Sequence, residues 1–226
     1  MKKLTLVLVM GLLGCSRPSV LGLATHHVGE PLARAKAVVV LLHGFGAPGN
    51  DLVGLAQELH ATAPPGTAFV MPEAPHTAGG GLAWFKKPEQ VADVRARLQR
   101  LVTGLMKDAH VEPSRVVVGG FSQGAMMAAD VALHAPKPLG GVIMFSGKEV
   151  PGAEWAARAP NVTATWFFIS HGTGDNVIPL SAGVAVKALL EGAGVPVTYV
   201  EFSGAHRIAP EARQGAVAFL SSVLAR

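Results

Sequence analysis

Gly120-Phe121-Ser122-Gln123-Gly124 is the stretch on which the reading of this chain turns. It has the form G-x-S-x-G, and its flanks give it meaning. Arg115-Val116-Val117-Val118 before it is a β-branched run bounded by Pro113 and the Gly119-Gly120 pair. Ala125 to Leu133 after it is a run of strong helix formers. Strand, sharp turn and helix form the setting of a nucleophile elbow, in which a strained backbone lifts a serine hydroxyl above a sheet. Glycine two residues before and two after the serine leaves room for so tight a bend. The N-terminus of the following helix then points at the serine.

Outward from the elbow, strand-like and helix-like segments alternate. Ala37–Leu42 is a continuous apolar run, as expected of a strand buried on both faces. Residues 51–60 have helical spacing in Leu52, Leu55, Ala56 and Leu59, and Ala68 to Met71 reads as a strand stopped by Pro72. Residues 89–110 form a long amphipathic helix with Val91, Val94, Leu98, Leu101, Val102 and Leu105 in its stripe. Beyond the elbow, strands are predicted at 141–145, 165–169 and 197–202, the last partly alternating like an edge strand, and helices at 181–191 and 210–224. Such alternation specifies an α/β fold: a mostly parallel sheet with helices on both faces, binding ligands beyond the C-terminal strand ends. No insertion is large enough to form a cap domain.

Composition excludes several classes. Half of the residues are hydrophobic and only 15% are charged, which suits a large core and argues against disorder. Two of the net +4 charges come from Lys2 and Lys3, and no long basic run is present, so nucleic acid is not an expected partner. Nine scattered histidines and one cysteine form no metal-ligand spacing, and neither metal nor cofactor is expected.

Residues 1–14 read as a signal peptide, with a charged start and an apolar run from Leu4 to Leu13 that is too short to span a bilayer. Residues 15–24 read as a tether, leaving 25–226 as the folded domain. Gly14-Cys15 resembles the lipobox of bacterial lipoproteins. That resemblance implies lipidation of Cys15, a membrane-anchored lipoprotein of the bacterial envelope, and, because Ser16 follows the cysteine, the outer membrane.

A serine hydroxyl needs a base, and the base needs an acid that fixes its tautomer. In sheet-and-helix hydrolases the order along the chain is serine, acid, histidine. His206, in a small-residue loop after the last strand, is better placed than His134 at the far end of the elbow helix or His171 at a strand end. Asp175 is the preferred acid because its loop is rich in turn chemistry, and Glu149 is the rival. Oxyanion stabilisation needs two aimed N–H groups, expected from Gln123 and from Phe45 in His43-Gly44-Phe45-Gly46. His43 is expected to be a buried imidazole bonded to loop backbone.

Together, Leu42-His43-Gly44-Phe45-Gly46-Ala47-Pro48-Gly49-Asn50-Asp51-Leu52, Gly119-Gly120-Phe121-Ser122-Gln123-Gly124-Ala125-Met126, His171-Gly172 leading to Asp175-Asn176-Val177-Ile178-Pro179, and Gly204-Ala205-His206 resemble the acyl-protein thioesterase and carboxylesterase family of the α/β-hydrolase fold. The resemblance implies a Ser122-Asp175-His206 triad and oxyanion donors at Phe45 and Gln123. It implies a carboxylic ester or a thioester as small-molecule substrate; Ile178 is expected against it, and Trp84 and Phe85 either wall an apolar acyl site or pack their loop on the core. It departs at Trp84-Phe85-Lys86, where the family has Trp-Phe-Asp, and in the short glycine-rich stretch from Pro75 to Gly81. The alternatives are an anchored depolymerase of polymeric or cell-surface esters and an inactive hydrolase-fold binding lipoprotein.

Overall fold

Valine-rich segments with no polar interruption are the strands at the centre of the molecule. The computed structural model describes residues 19–20 and 22–226. Cys15 and the expected signal peptide therefore lie outside the described residues. In chain order the elements are β1 (Ser19–Val20), β2 (Leu23–Gly29), β3 (Ala37–Leu42), α1 (Val53–His60), β4 (Thr67–Pro72), β5 (His76–Ala78), β6 (Gly81–Ala83), α2 (Val91–Ala109), β7 (Val116–Phe121), α3 (Gln123–Leu133), β8 (Gly141–Phe145), α4 (Trp155–Arg158), β9 (Trp166–Gly172), α5 (Leu180–Gly192), β10 (Val197–Phe202) and α6 (Pro210–Leu224).

Eight strands form one sheet in the order β1-β2-β4-β3-β7-β8-β9-β10, and β5 and β6 pair separately. From β4 to β10 every neighbouring pair is parallel, while β2 runs antiparallel to β4 and β1 antiparallel to β2. β3 and β7 lie at the centre and are buried along nearly their whole length, which explains why they lack alternation. β2 does alternate in burial, but its apolar residues are too few for the sequence to single it out. The pairing of β1 with β2 carries the sheet into the stretch expected as a tether, and Leu23 is already buried core. The folded part thus begins before residue 25.

Strand parity divides the core into two layers. Val38, Val40, Val118 and Val142 face the side covered by α2, α3 and α5, packing against Leu98, Leu101, Met127 and Leu190. Val39, Leu41, Val117 and Ile143 face the side covered by α1 and α6, against Leu59, Phe219 and Leu220. Every residue of α3 is buried. Its one charge, Asp130, is paired: Arg95 Nε donates to Oδ2 at 2.6 Å, Arg95 Nη2 to Oδ1 at 3.2 Å, and the Trp155 indole N–H to Oδ1 at 3.0 Å. This network ties α2 and α4 to the elbow helix. Removing one partner of a buried pair strands the other charge, at a cost of about 3 kcal/mol. Arg95→Met is therefore expected to lower the unfolding free energy by about that amount, read from urea denaturation. An Arg95→Met variant as stable as the parent would show the pair to be dispensable.

Candidate active site

The turn between β7 and α3 holds Ser122 in a strained conformation, with φ 54° and ψ −119°. An L-residue with positive φ costs free energy, and the neighbours must hold it there. The Ser122 N–H donates to the Phe145 carbonyl at 2.9 Å, and the Ser122 carbonyl accepts from Met126 N–H at 3.1 Å. The two elbow glycines answer to crowding. A Cβ at Gly120 would lie 2.6 Å from the Gly124 carbonyl carbon, and one at Gly124 would lie 2.6 Å from the His43 carbonyl oxygen. Only hydrogen fits where the elbow crosses the end of β3.

That crossing sets the loop after β3 beside the serine. A Cβ at Gly44 would lie 3.6 Å from Ser122 Cβ and 3.2 Å from the Phe121 ring. The Gly44–Phe45 peptide is thus next to the hydroxyl. Among the described residues, the Phe45 and Gln123 N–H groups have no hydrogen-bond acceptor, whereas Gly46 and Ala47 spend theirs on Leu82 and Gly44. Two free donors flanking a serine have the composition of an oxyanion hole.

His43 holds this loop from below. Its Nδ1–H donates to the Gly44 carbonyl at 2.8 Å and its Nε2 accepts from Ala74 N–H at 3.1 Å, which fixes the neutral tautomer. Burial is the largest effect on the His43 pKa and pushes it below 6.5, over the opposing Gly44 hydrogen bond and the charges of Asp51 and Glu73. The expectation of a buried imidazole bonded to loop backbone agrees with this geometry.

Asp175 and His206 come together from two loops. The loop after β9 is laced to the loop after β10: Thr173 N–H donates to Phe202 O at 2.9 Å and Gly174 N–H to Gly204 O at 2.9 Å. Gly172 allows this approach, since a Cβ there would lie 2.6 Å from the Ala205 carbonyl oxygen. His206 Nδ1–H donates to Asp175 Oδ2 at 2.6 Å. Asp175 Oδ1 accepts from Val177 N–H and Ile178 N–H, both at 2.9 Å. Burial disfavours the carboxylate, but the His206 bond and the two backbone donors outweigh it and hold the Asp175 pKa below its ordinary value. The His206 ring lies 4.7 Å from the Phe121 ring, centroid to centroid, and so stands beside the residue that precedes Ser122. Glu149, the rival acid, instead accepts from Trp155 N–H at 3.3 Å at the start of α4.

The expected substrate contacts are placed differently. Trp84 is fully buried, with its indole N–H donating to His43 O at 2.8 Å, and its ring packs against His43 at 5.2 Å. It braces the loop and offers no wall to a ligand. Ile178 is 6% exposed and serves the acid loop through its backbone. Phe85 is half-buried, packs on the core, and accepts from Gln123 Nε2 at 2.7 Å, while Gln123 Oε1 accepts from Trp84 N–H at 2.9 Å. The Gln123 side chain is therefore a clamp on residues 84–85, a role no sequence motif announces. Phe45 and Val177, 57% and 65% exposed, are two of the three exposed large hydrophobic side chains among the described residues. Their exposure follows from the loops they stand on. An apolar groove of about 280 Å³, lined by Val102, Met106, Val131 and Leu139, sits at the opposite end of α3 and is no part of this site.

A mostly parallel sheet with a strained serine at its central strand end, and a carboxylate–imidazole pair from later loops, defines an α/β-hydrolase. The phospholipase/carboxylesterase family model matches residues 23–224, and the chain belongs to that family. It is a carboxylesterase- or thioesterase-type hydrolase. Acyl-protein thioesterase 1 of Saccharomyces cerevisiae is 31% identical over 180 residues, spanning 71% of this chain and 79% of the relative. Acyl-protein thioesterase 1 of Kluyveromyces lactis is 31% identical over 213 residues, 84% of this chain and 93% of the relative. The crystal structure of esterase PE8 superposes with a TM-score of 0.78 at 29% identity, covering 89% of this chain and 99% of that one.

These relatives correct the expected localisation. The likeness is to eukaryotic acyl-protein thioesterases of Saccharomyces, Kluyveromyces, Yarrowia and Eremothecium, and not to bacterial envelope lipoproteins. The matched family domain starts at residue 23, after the segment on which the anchor expectation was built. A short apolar run before a cysteine is a weak pattern, and the family likeness gives it no support. Among the described residues, no helix is long and apolar enough to cross a membrane.

The His43 geometry has a measurable consequence. A histidine whose folded pKa is depressed gives stability that is present above its unfolded pKa and is lost as pH falls below about 6.5. His27, whose pKa is lowered by burial and by His26, acts in the same direction. Thermal stability is expected to fall between pH 7.5 and 5.5, and the fall to be smaller in His43→Gln. Equal slopes in both proteins would mean that His43 does not contribute.

Proposed function

We propose that this chain hydrolyses carboxylic esters and thioesters through an acyl-enzyme formed on Ser122, with His206 as base, Asp175 as its orienting acid, and Phe45 and Gln123 N–H as oxyanion donors. The observation that carries the reading is the 2.6 Å bond from His206 Nδ1 to Asp175, made by an imidazole that packs on the neighbour of a strained serine. A carboxylate only accepts, so His206 keeps its proton on Nδ1 and its Nε2 lone pair is free for the serine.

The steps follow from these assignments. His206 Nε2 takes the Ser122 proton as Oγ bonds to the substrate carbonyl carbon. The carbonyl electrons move onto oxygen, facing the two N–H donors. The intermediate collapses, the bond to the alcohol or thiol breaks, and the imidazolium returns its proton to the leaving group. Water, deprotonated by the same imidazole, attacks the acyl-enzyme and releases the acid and free Ser122. Asp175 stabilises the imidazolium in each half and is not itself protonated. The names of the relatives, acyl-protein thioesterase and carboxylesterase, agree with this chemistry. Exposed Phe45 and Val177 offer apolar surface for the acyl portion, which Trp84 and Ile178 do not.

Folded protein is expected to be labelled once per chain by a serine-reactive phosphonate and to cleave a p-nitrophenyl ester. Ser122→Ala should abolish the label and lower kcat by about 10⁴-fold or more. Absence of labelling in the folded parent removes this reading. Asp175→Asn should lower kcat by about 10³- to 10⁴-fold, while Glu149→Gln leaves it near the parent value. The reverse pattern would make Glu149 the acid.

A further inference from the structure

His171 was set aside as a base because of its place in the chain, yet it occupies the most confined position of any titratable group near the site. It is the penultimate residue of β9 and its side chain is fully buried. Its Nε2 lies 2.8 Å from the Ile178 carbonyl oxygen and 3.4 Å from Asp175 Oδ2, the oxygen that accepts the hydrogen bond from His206 Nδ1. A carbonyl can only accept, so Nε2 carries the hydrogen. Nδ1 has no hydrogen-bond partner among the described residues. The ring is seated by steric confinement as well. A Cβ at Gly183 in α5 would lie 3.0 Å from His171 Cγ and 3.3 Å from Cε1, so the helix passes against the imidazole where it has no side chain.

These contacts close a circuit. His171 donates to the Ile178 carbonyl, the Ile178 N–H donates to Asp175 Oδ1, and Asp175 Oδ2 accepts from His206. Residues 172–179 are held at both ends by one buried ring. Without it, the Ile178 carbonyl loses its partner and the loop that aims Asp175 loses its inner support. An orphaned buried histidine nitrogen, kept through close packing, is a cost that a merely space-filling residue would not carry.

We propose that His171 is a positioning residue for catalysis: a strut whose Nε2–H, bonded to Ile178, holds Asp175 Oδ2 toward His206. It touches neither substrate nor nucleophile and acts through Asp175. This rests on the triad proposed above. Acid orientation governs the chemical step and not ground-state binding, so the effect falls on kcat and leaves KM nearly unchanged. The donor is what matters, and a glutamine amide nitrogen can reproduce it while leucine cannot.

The test compares the parent, His171→Leu, His171→Gln and Gly183→Ala by p-nitrophenyl ester kinetics and by phosphonate labelling rate. His171→Leu should lower kcat by tenfold or more with KM within threefold. His171→Gln should recover kcat to within threefold of the parent. Gly183→Ala deletes no polar group but pushes the ring from its seat, so it should lower kcat several-fold at constant KM. It decides the question if His171→Leu fails to fold. Parent kcat in folded His171→Leu or in Gly183→Ala, or a His171→Gln variant as slow as His171→Leu, overturns the strut and leaves the triad standing. A folded parent that neither labels nor turns over removes both readings.

Discussion

The site depends on one close crossing of backbone against backbone. β7 ends, turns through Ser122 and enters α3 while pressed against the end of β3 and the start of its loop, with Gly120 and Gly124 at the points of contact. No side chain fits at either glycine, and the serine between them is held at a φ that costs free energy. The rest of the fold supplies the restraint. Five parallel pairings fix β7 and its neighbours, Phe145 accepts the Ser122 N–H, and α3 is buried along its full length. Strain of this kind persists only where surroundings over-determine it, and here the surroundings are the centre of the sheet.

From that crossing the other parts follow by contact. The loop after β3 lies against the elbow, so the Phe45 and Gln123 N–H groups are neighbours of the same hydroxyl. His43 below and Trp84 behind keep the loop from relaxing, and the Gln123 side chain clamps residues 84–85. Asp175 and His206 arrive separately, on loops stitched to each other, and the His206 ring packs against Phe121, the neighbour of Ser122. Asp175 remains ionised at neutral pH because three hydrogen bonds outweigh its burial. Preorganisation here is a matter of donors already aimed at fixed acceptors.

Two expectations changed for physical reasons. Ile178 is expected against the substrate, and Trp84 either there or packed with its loop on the core. Both spend their polar groups inside the protein, and their side chains are buried. The apolar surface at the site belongs to Phe45 and Val177, which ride on loops whose backbones are already committed. At the other end of the chain, a short apolar run and one cysteine suggested an envelope lipoprotein, and the family likeness points elsewhere.

The sequence by itself determined the elements that depend on local pattern. β3, β8, β10 and α6 fall where their apolar runs and helix formers put them, and the elbow is legible because its two glycines and β-branched strand are adjacent in the chain. The serine, acid, histidine order is one-dimensional and could be read the same way. Tertiary structure alone decided what depends on contact between distant segments. β2 joins the sheet through pairing with β4, and the separate β5–β6 hairpin is tied by a bridge from Leu82 to Ala47 in the loop after β3. His171 stands in a recognisable stretch of the chain, but its contacts are not legible there, because they are made with a carbonyl seven residues on and beside a missing side chain in a helix. Periodicity records which face a residue turns inward. It does not record which atom it meets there, and at this site the atoms met decide the chemistry.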